Sequence, residues 1–265
     1  MSYQEGLKFT VLGSGSGGNC SLVEFGHTAL LVDAGFSGRQ IIQRLQKIGR
    51  SCSDLDAILL THEHVDHTRG LKILAAKNGI PVYCNRLTAE FLRPQLNGYD
   101  EWKLFITGSS FTVGNITIDT FPVPHDAYDP VGFIISAAGR RLGFLTDLGY
   151  ATHAIQERIR TVHALLLETN YDPELLRADT KRPWSVKQRI MTRHGHLSND
   201  KAAELVKDIL SENLKHIFLG HLSEDCNRSE LARKAVQSAL DEKGASHISL
   251  YTTLQDEPTD TLTLS

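Results

Sequence analysis

The segment Thr61-His62-Glu63-His64-Val65-Asp66-His67 places four good metal ligands, His62, His64, Asp66 and His67, within six consecutive positions. It follows directly on residues 57–60, an apolar run short enough to read as a buried strand. Neutral imidazoles and carboxylates suit zinc and comparable first-row ions. A strand end followed by a loop can point His62 and His64 at one ion, and the next turn offers Asp66 and His67 to a second. Two histidines alone would often be satisfied polar residues. Four ligand types at one strand-to-loop junction, where active sites tend to lie, point to a metal centre.

The rest of the chain reads as strands and helices in alternation. Residues 8–12, 21–25 and 29–33 have strand character. Ile41, Ile42, Leu45 and Ile48 then fall at helical spacing, with Gly49 as the stop. Gly114-Asn115 separates residues 111–113 from 116–118 as a hairpin signal, and Gly139 separates 133–136 from 142–145. Residues 164–167, 217–219 and 248–251 read as later strands, and 200–210 and 230–240 as helices. Ser198 or Asn199 and Ser229 are their candidate N-caps. The Gly13-Ser14-Gly15-Ser16-Gly17-Gly18-Asn19-Cys20 run fails the dinucleotide fingerprint because strands, not a helix, follow it. It reads as a tight strand connection. Two sheets packed together with helices outside fit this order, although periodicity alone does not separate that from a generic α/β domain.

With 265 residues, 41% hydrophobic, there is ample material for a core in one domain spanning 1–265. No run of about 18 apolar residues predicts a membrane span, and the first eight residues lack a basic start followed by an apolar stretch. Cys20, Cys52, Cys84 and Cys226 are scattered, which fits reduced thiols in a cytoplasmic protein. The net charge of −3 does not mark a nucleic-acid binder. Its distribution is uneven, however. Residues 177–193 carry six basic groups (Arg177, Lys181, Arg182, Lys187, Arg189, Arg193) against one acid, Asp179. Such a stretch reads either as a phosphate-binding patch or as a solvated loop.

The histidine segment matches the His-x-His-x-Asp-His signature, and in this respect the chain resembles the metallo-β-lactamase superfamily. That resemblance implies the αββα sandwich of two mixed sheets. Asp33, at the end of Leu30-Leu31-Val32, resembles the superfamily's early aspartate, which orients the histidine loop. His125 resembles the third histidine of the first metal site, Asp147 the carboxylate bridging both ions, and His221 the last histidine of the second site. The implied allocation is His62, His64, His125 and Asp147 on one ion, with Asp66, His67, His221 and Asp147 on the other. The glycine-rich run, Pro124-His125-Asp126-Ala127, Gly195-His196-Leu197-Ser198-Asn199 and Gly220-His221-Leu222-Ser223 together resemble the YycJ/WalJ (VicX) family across nearly the whole chain. Only 48 residues separate Asp147 from His196, too few for the β-CASP domain of RNase J-like nucleases.

Two divalent ions, zinc or manganese, suit a phosphodiester because they can activate a bridging water and hold both attacking and leaving oxygens. In this reading Asp66 orients or deprotonates the nucleophile. By resemblance to tRNase Z and RNase J, His196 protonates the leaving group and Glu168 pairs with His196. Arg182, Lys187, Arg189 and Arg193, with Ser198 and Asn199, are the candidate phosphate contacts, because the basic stretch runs straight into His196. Trp184 reads as either a base-stacking or a packing residue, with packing favoured. The resemblance implies a nuclease acting on DNA from 5′ to 3′, with no membrane partner. Competing readings are a small cyclic-phosphate phosphodiesterase and a glyoxalase II-like thioester hydrolase, which needs no phosphate-directed donor. β-Lactam hydrolysis, di-iron redox chemistry and a non-enzymatic binding module fit the residues less well.

Overall fold

The computed structural model describes residues 6–265 and divides the chain into two compact units. The first comprises residues up to Pro122, Ala127–Arg140 and Leu254–Ser265; the second comprises Val123–Asp126 and Arg141–Thr253. The expectation of no leader rests on the first eight residues, of which 1–5 lie outside the described residues.

In the first unit, β1 (Leu7–Gly15), β2 (Gly18–Phe25) and β3 (Thr28–Val32) form an antiparallel meander. The glycine-rich run is the tight β1–β2 connection expected from the sequence. Asn19 braces it, with its Oδ1 accepting from Ser14 Oγ (2.8 Å) and Gly15 N (3.1 Å). Helix α1 (Gly38–Lys47) follows, started by a Ser37/Gln40 capping box and stopped before Gly49, whose φ of 71° a side chain would resist. It buries Ile41 and Leu45 against Leu12, Leu22, Leu31 and Ile58. The chain crosses over to β4 (Ala57–Leu59), parallel to β3, and later to β5 (Val82–Asn85) and β6 (Trp102–Phe105), also parallel. Together with the C-terminal strand Leu262–Leu264 beside β1, these make a seven-stranded mixed sheet. Between β4 and β5 lies the short α2 (Val65–Thr68), and between β5 and β6 lies α3 (Arg86–Leu92). Further on, β7 (Ser110–Val113), β8 (Ile116–Pro122) and β9 (Val131–Ala137) run antiparallel, turning at Gly114-Asn115 as the sequence predicts.

In the second unit, β10 (Arg140–Leu145), β11 (Ala164–Glu168), β12 (His216–Gly220) and β13 (Ser249–Thr252) are mutually parallel. β11 is buried along its whole length, which is why it reads as an unbroken apolar run ending in a carboxylate. The crossovers are α4 (His153–Ile159), then α5 (Pro173–Ala178), α6 (Trp184–Met191) and α7 (Asn199–Ile209), then α8 (Ser229–Glu242). Ser198 is the N-cap of α7, accepting from Lys201 N (3.2 Å). Ser229, expected as a cap, is instead the first residue of α8, after Arg228.

β5, β6 and the C-terminal strand were not anticipated, and neither were α3 to α6. Each is too short or too polar to carry a periodic signal. The basic stretch, read as either a patch or a loop, contains α6. All four cysteines are free thiols, three of them buried. No helix among the described residues is long and apolar enough to cross a membrane.

Candidate functional site

Parallel neighbours share a carboxyl-terminal edge, so residues just beyond adjacent strands fall together. In the first unit, Asp33 follows β3 and the histidine segment follows β4. Asp33 is buried in the left-handed backbone region (φ 60°), a conformation side chains adopt only where neighbours enforce it. Its carboxylate accepts from Thr61 N (2.9 Å), from Thr61 Oγ1 (3.0 Å) and from His67 Nδ1 (2.8 Å). The early aspartate therefore holds the loop.

These contacts fix the histidine tautomers. A carboxylate only accepts, so His67 carries its proton on Nδ1 and presents the Nε2 lone pair. Thr61 Oγ1 donates to Asp33 and so accepts from His62 Nδ1 (3.0 Å), which leaves Nε2 of His62 as a donor to metal. This is the arrangement that ligating histidines adopt. The His62 ring lies 4.2 Å from that of His67 and 4.5 Å from that of His64, centroid to centroid. His67 Nε2 and Asp66 Oδ2 are 3.4 Å apart. Ligand atoms about 2.1 Å from a tetrahedral ion stand roughly 3.4 Å from one another, so the pair fits a shared cation.

The loop closes tightly. Gly35 lies so near Asp66 that a Cβ on it would fall 1.6 Å from the Asp66 carbonyl oxygen. We expect Gly35→Ala to push the 61–68 loop away, to lower stability by about 1–3 kcal/mol and to reduce metal content. Thermal unfolding alongside metal analysis would check this. A variant with native metal content would show that the loop tolerates the shift.

The second unit repeats the edge logic. Asp147 follows β10, Glu168 ends β11 and His221 follows β12. Asp147 (φ 58°) and His221 (φ 55°) are again left-handed. His221 Nε2 lies 3.4 Å and His125 Nε2 3.7 Å from Asp147 Oδ1. His125 Nδ1 donates to the Gly195 carbonyl (3.1 Å), so its Nε2 is the lone-pair nitrogen too, and burial pulls its pKa down. One donor atom from each of Asp147, Glu168, His196 and His221 lies within 4.8 Å of the others.

Glu168 is the hub of this cluster. Fully buried, it takes His196 Nδ1 (2.7 Å) and His221 Nδ1 (2.9 Å) on Oε1, and the backbone N–H groups of Leu148 and Leu197 (3.1 Å each) on Oε2. The Asn170 amide also approaches His221 Nδ1 (3.0 Å), but its N–H is directed at the His221 carbonyl (2.8 Å). The ionised carboxylate is the stronger acceptor. Burial alone would raise the Glu168 carboxyl; the two imidazoles outweigh it and hold it below the usual carboxylate range. Burial likewise opposes the charged form of His196, and the Glu168 carboxylate overrides it, raising the imidazole above its ordinary value. With four donors in place, Glu168 orients its neighbours. The sequence reading named only one of its partners, His196, and missed Asn170 altogether.

The basic stretch needs correction. Lys187 is buried, with its ammonium donating to the carbonyls of Arg177 (2.9 Å) and Asp179, because a buried charge must find acceptors. Asn199 is buried against Asn227, and Ser198 serves as the cap. Arg182 pairs with Asp179 (3.0 Å) and Asp225 (2.9 Å). Arg189, exposed, pairs with Asp126, and exposed Arg193 stacks 4.2 Å over Tyr150. Trp184, for which packing was favoured, is 59% exposed.

Comparison with known proteins adds four findings. Residues 28–217 match the beta-lactamase superfamily domain. The chain is 39% identical to the exodeoxyribonuclease YycJ of Bacillus anthracis over 90% of this chain and 91% of that one. It is 38% identical to the exodeoxyribonuclease WalJ of Streptococcus pneumoniae serotype 2 over 89% and 88%. Among solved structures, the metallo-beta-lactamase fold protein YhfI of Bacillus subtilis superposes with a TM-score of 0.74 at 18% identity, covering 96% of this chain and 99% of that one, a likeness of fold.

Proposed function

The chain belongs to the metallo-β-lactamase superfamily, within its YycJ/WalJ family of exodeoxyribonucleases, and from that premise we propose that it is a metal-dependent nuclease that degrades DNA from 5′ ends. The observation that carries the reading is the Glu168–His196 pair (2.7 Å), a buried carboxylate that favours a protonated imidazole beside candidate metal ligands. A leaving alkoxide needs a proton, whereas the thiolate expelled in thioester hydrolysis departs with little need of such a donor.

In the first unit His62, His64, Asp66 and His67, and in the second His125, Asp147 and His221, would hold divalent ions, zinc or manganese. Bound there, such ions lower the pKa of a water and neutralise charge on the phosphate. Asp33 and Glu168 hold the histidines in their Nε2-presenting tautomers. Asp66 orients the nucleophile, and His196 delivers its proton to the leaving oxygen. Arg189 and Arg193, which keep exposed guanidinium groups, meet the phosphates of the strand. The free, scattered thiols are consistent with a cytoplasmic setting.

The test is cleavage of 5′- and 3′-end-labelled single- and double-stranded DNA, with RNA in parallel, in manganese and separately in zinc. Stepwise release of nucleotides from 5′ ends is expected, abolished by EDTA and restored by the effective ion. Intact polymers, with bis-(p-nitrophenyl) phosphate still hydrolysed, would instead assign the site to a small phosphodiester.

A further inference from the structure

The segment after His125 runs along the histidine loop of the first unit and is fastened there by its main chain. Val131 N donates to the Thr61 carbonyl (3.0 Å), and Tyr128 N donates to Glu63 Oε1 (2.9 Å). These two bonds bracket His62 in the sequence. Glu63 is only 6% exposed, so the residue between the candidate ligands His62 and His64 anchors this segment. The far side of the segment is fastened as well. Asp129 accepts on its carbonyl from Asn85 Nδ2 (2.5 Å) and on its carboxylate from Thr107 Oγ1 (2.8 Å). Asn85 also caps α3, accepting from Thr88 N (3.0 Å).

The side chain on this pinned backbone faces water. Tyr128 is 63% exposed, and its ring sits 5.6 Å from that of Phe91, itself 42% exposed, at an interplanar angle of 44°. Phe91 lies one helical turn beyond Leu87 on the outer face of α3, while Thr88, Ala89 and Leu92 face inward. An aromatic pair left in water on a rigid backbone forgoes the burial that usually holds such rings in a core. The same rigidity lowers the entropy lost when a flat ligand settles on them.

We propose that Tyr128 and Phe91 form the stacking platform for nucleobases of the single-stranded DNA being degraded, held in register with the histidine loop through Glu63. The inference rests on the nuclease reading above and assigns that site its base-binding surface. Every base has a π-face, so stacking tolerates any sequence, as an enzyme stepping along a strand requires. Hydrogen-bonded readout of base edges would stall it at each unfavoured base. The substitution Tyr128→Ala removes the ring but keeps the N–H to Glu63, so the anchor survives.

The experiment measures KM and kcat on a single-stranded oligonucleotide, and on the same strand with abasic residues near its 5′ end. The proteins are the wild type, Tyr128→Ala, Tyr128→Trp and Phe91→Ala. Tyr128→Ala is expected to raise KM on normal DNA by about 5- to 100-fold, and by more than it lowers kcat. Tyr128→Trp retains wild-type KM, and Phe91→Ala shifts KM in the same direction as Tyr128→Ala. The wild type discriminates against the abasic strand, and Tyr128→Ala loses that discrimination. An unchanged KM in Tyr128→Ala, or an undiminished abasic penalty, overturns the platform. Wild-type protein that hydrolyses bis-(p-nitrophenyl) phosphate but no DNA overturns the nuclease reading itself, an outcome separable from the first.

Discussion

Replacing His64 with alanine is expected to strip metal from the protein and to lower phosphodiester turnover by roughly 10³-fold or more, the scale of several kcal/mol of lost charge stabilisation. The substitution is well placed because His64 holds the loop through its backbone carbonyl. The His64 carbonyl accepts from His67 N (3.0 Å) and Thr68 Oγ1 (2.9 Å), and both bonds survive truncation. The ring is only partly buried, and its plane stands at 78° to that of His62. An alanine there leaves α2 standing and deletes one ligand. Metal content by plasma mass spectrometry, measured beside turnover, reads both effects. Full metal with full turnover would remove His64 from the centre.

His196→Ala separates chemistry from metal binding. Glu168 would keep His221 and the two backbone donors of Leu148 and Leu197, so the His221 tautomer persists without His196. Both metals should therefore remain, while kcat falls about 10²- to 10⁴-fold, the usual contribution of a positioned general acid. A leaving group that needs no protonation gives a second reading. On a p-nitrophenyl phosphodiester the defect should shrink, because p-nitrophenolate departs unaided. Loss of metal in His196→Ala would recast the residue as a ligand. Unaltered turnover on DNA would end its role as the acid.

The cluster of candidate ligands was legible because its information is local: four donors in six positions at the end of a short apolar strand. Glu168 was legible only in part. Its pairing with His196 was anticipated by resemblance, but its bonds to Leu148 N and to His221 span 20 and 53 positions of sequence and leave no local pattern. Asn170 was invisible for the same reason. The basic stretch misled in the opposite direction. A lysine looks solvent-facing by composition, and Lys187 was turned inward by two carbonyls within ten residues of it. Strands such as β4 and β11, buried on both faces, announced themselves as apolar runs. Edge-lying β6, with Lys103 and Leu104 exposed, did not.

The left-handed turns at Asp33, Asp147 and His221 set a limit on engineering this protein. Each carries a backbone conformation that costs an L-residue about 1–2 kcal/mol, and glycine would relieve it at no steric cost. Yet each is also a residue whose side chain the site uses. The most accessible gains in thermal robustness therefore coincide with positions on which the proposed centre depends. Selection for stability alone would tend to erase the centre one strand end at a time. A stabilised, active variant has to find its gains elsewhere, in the helices and the exposed loops.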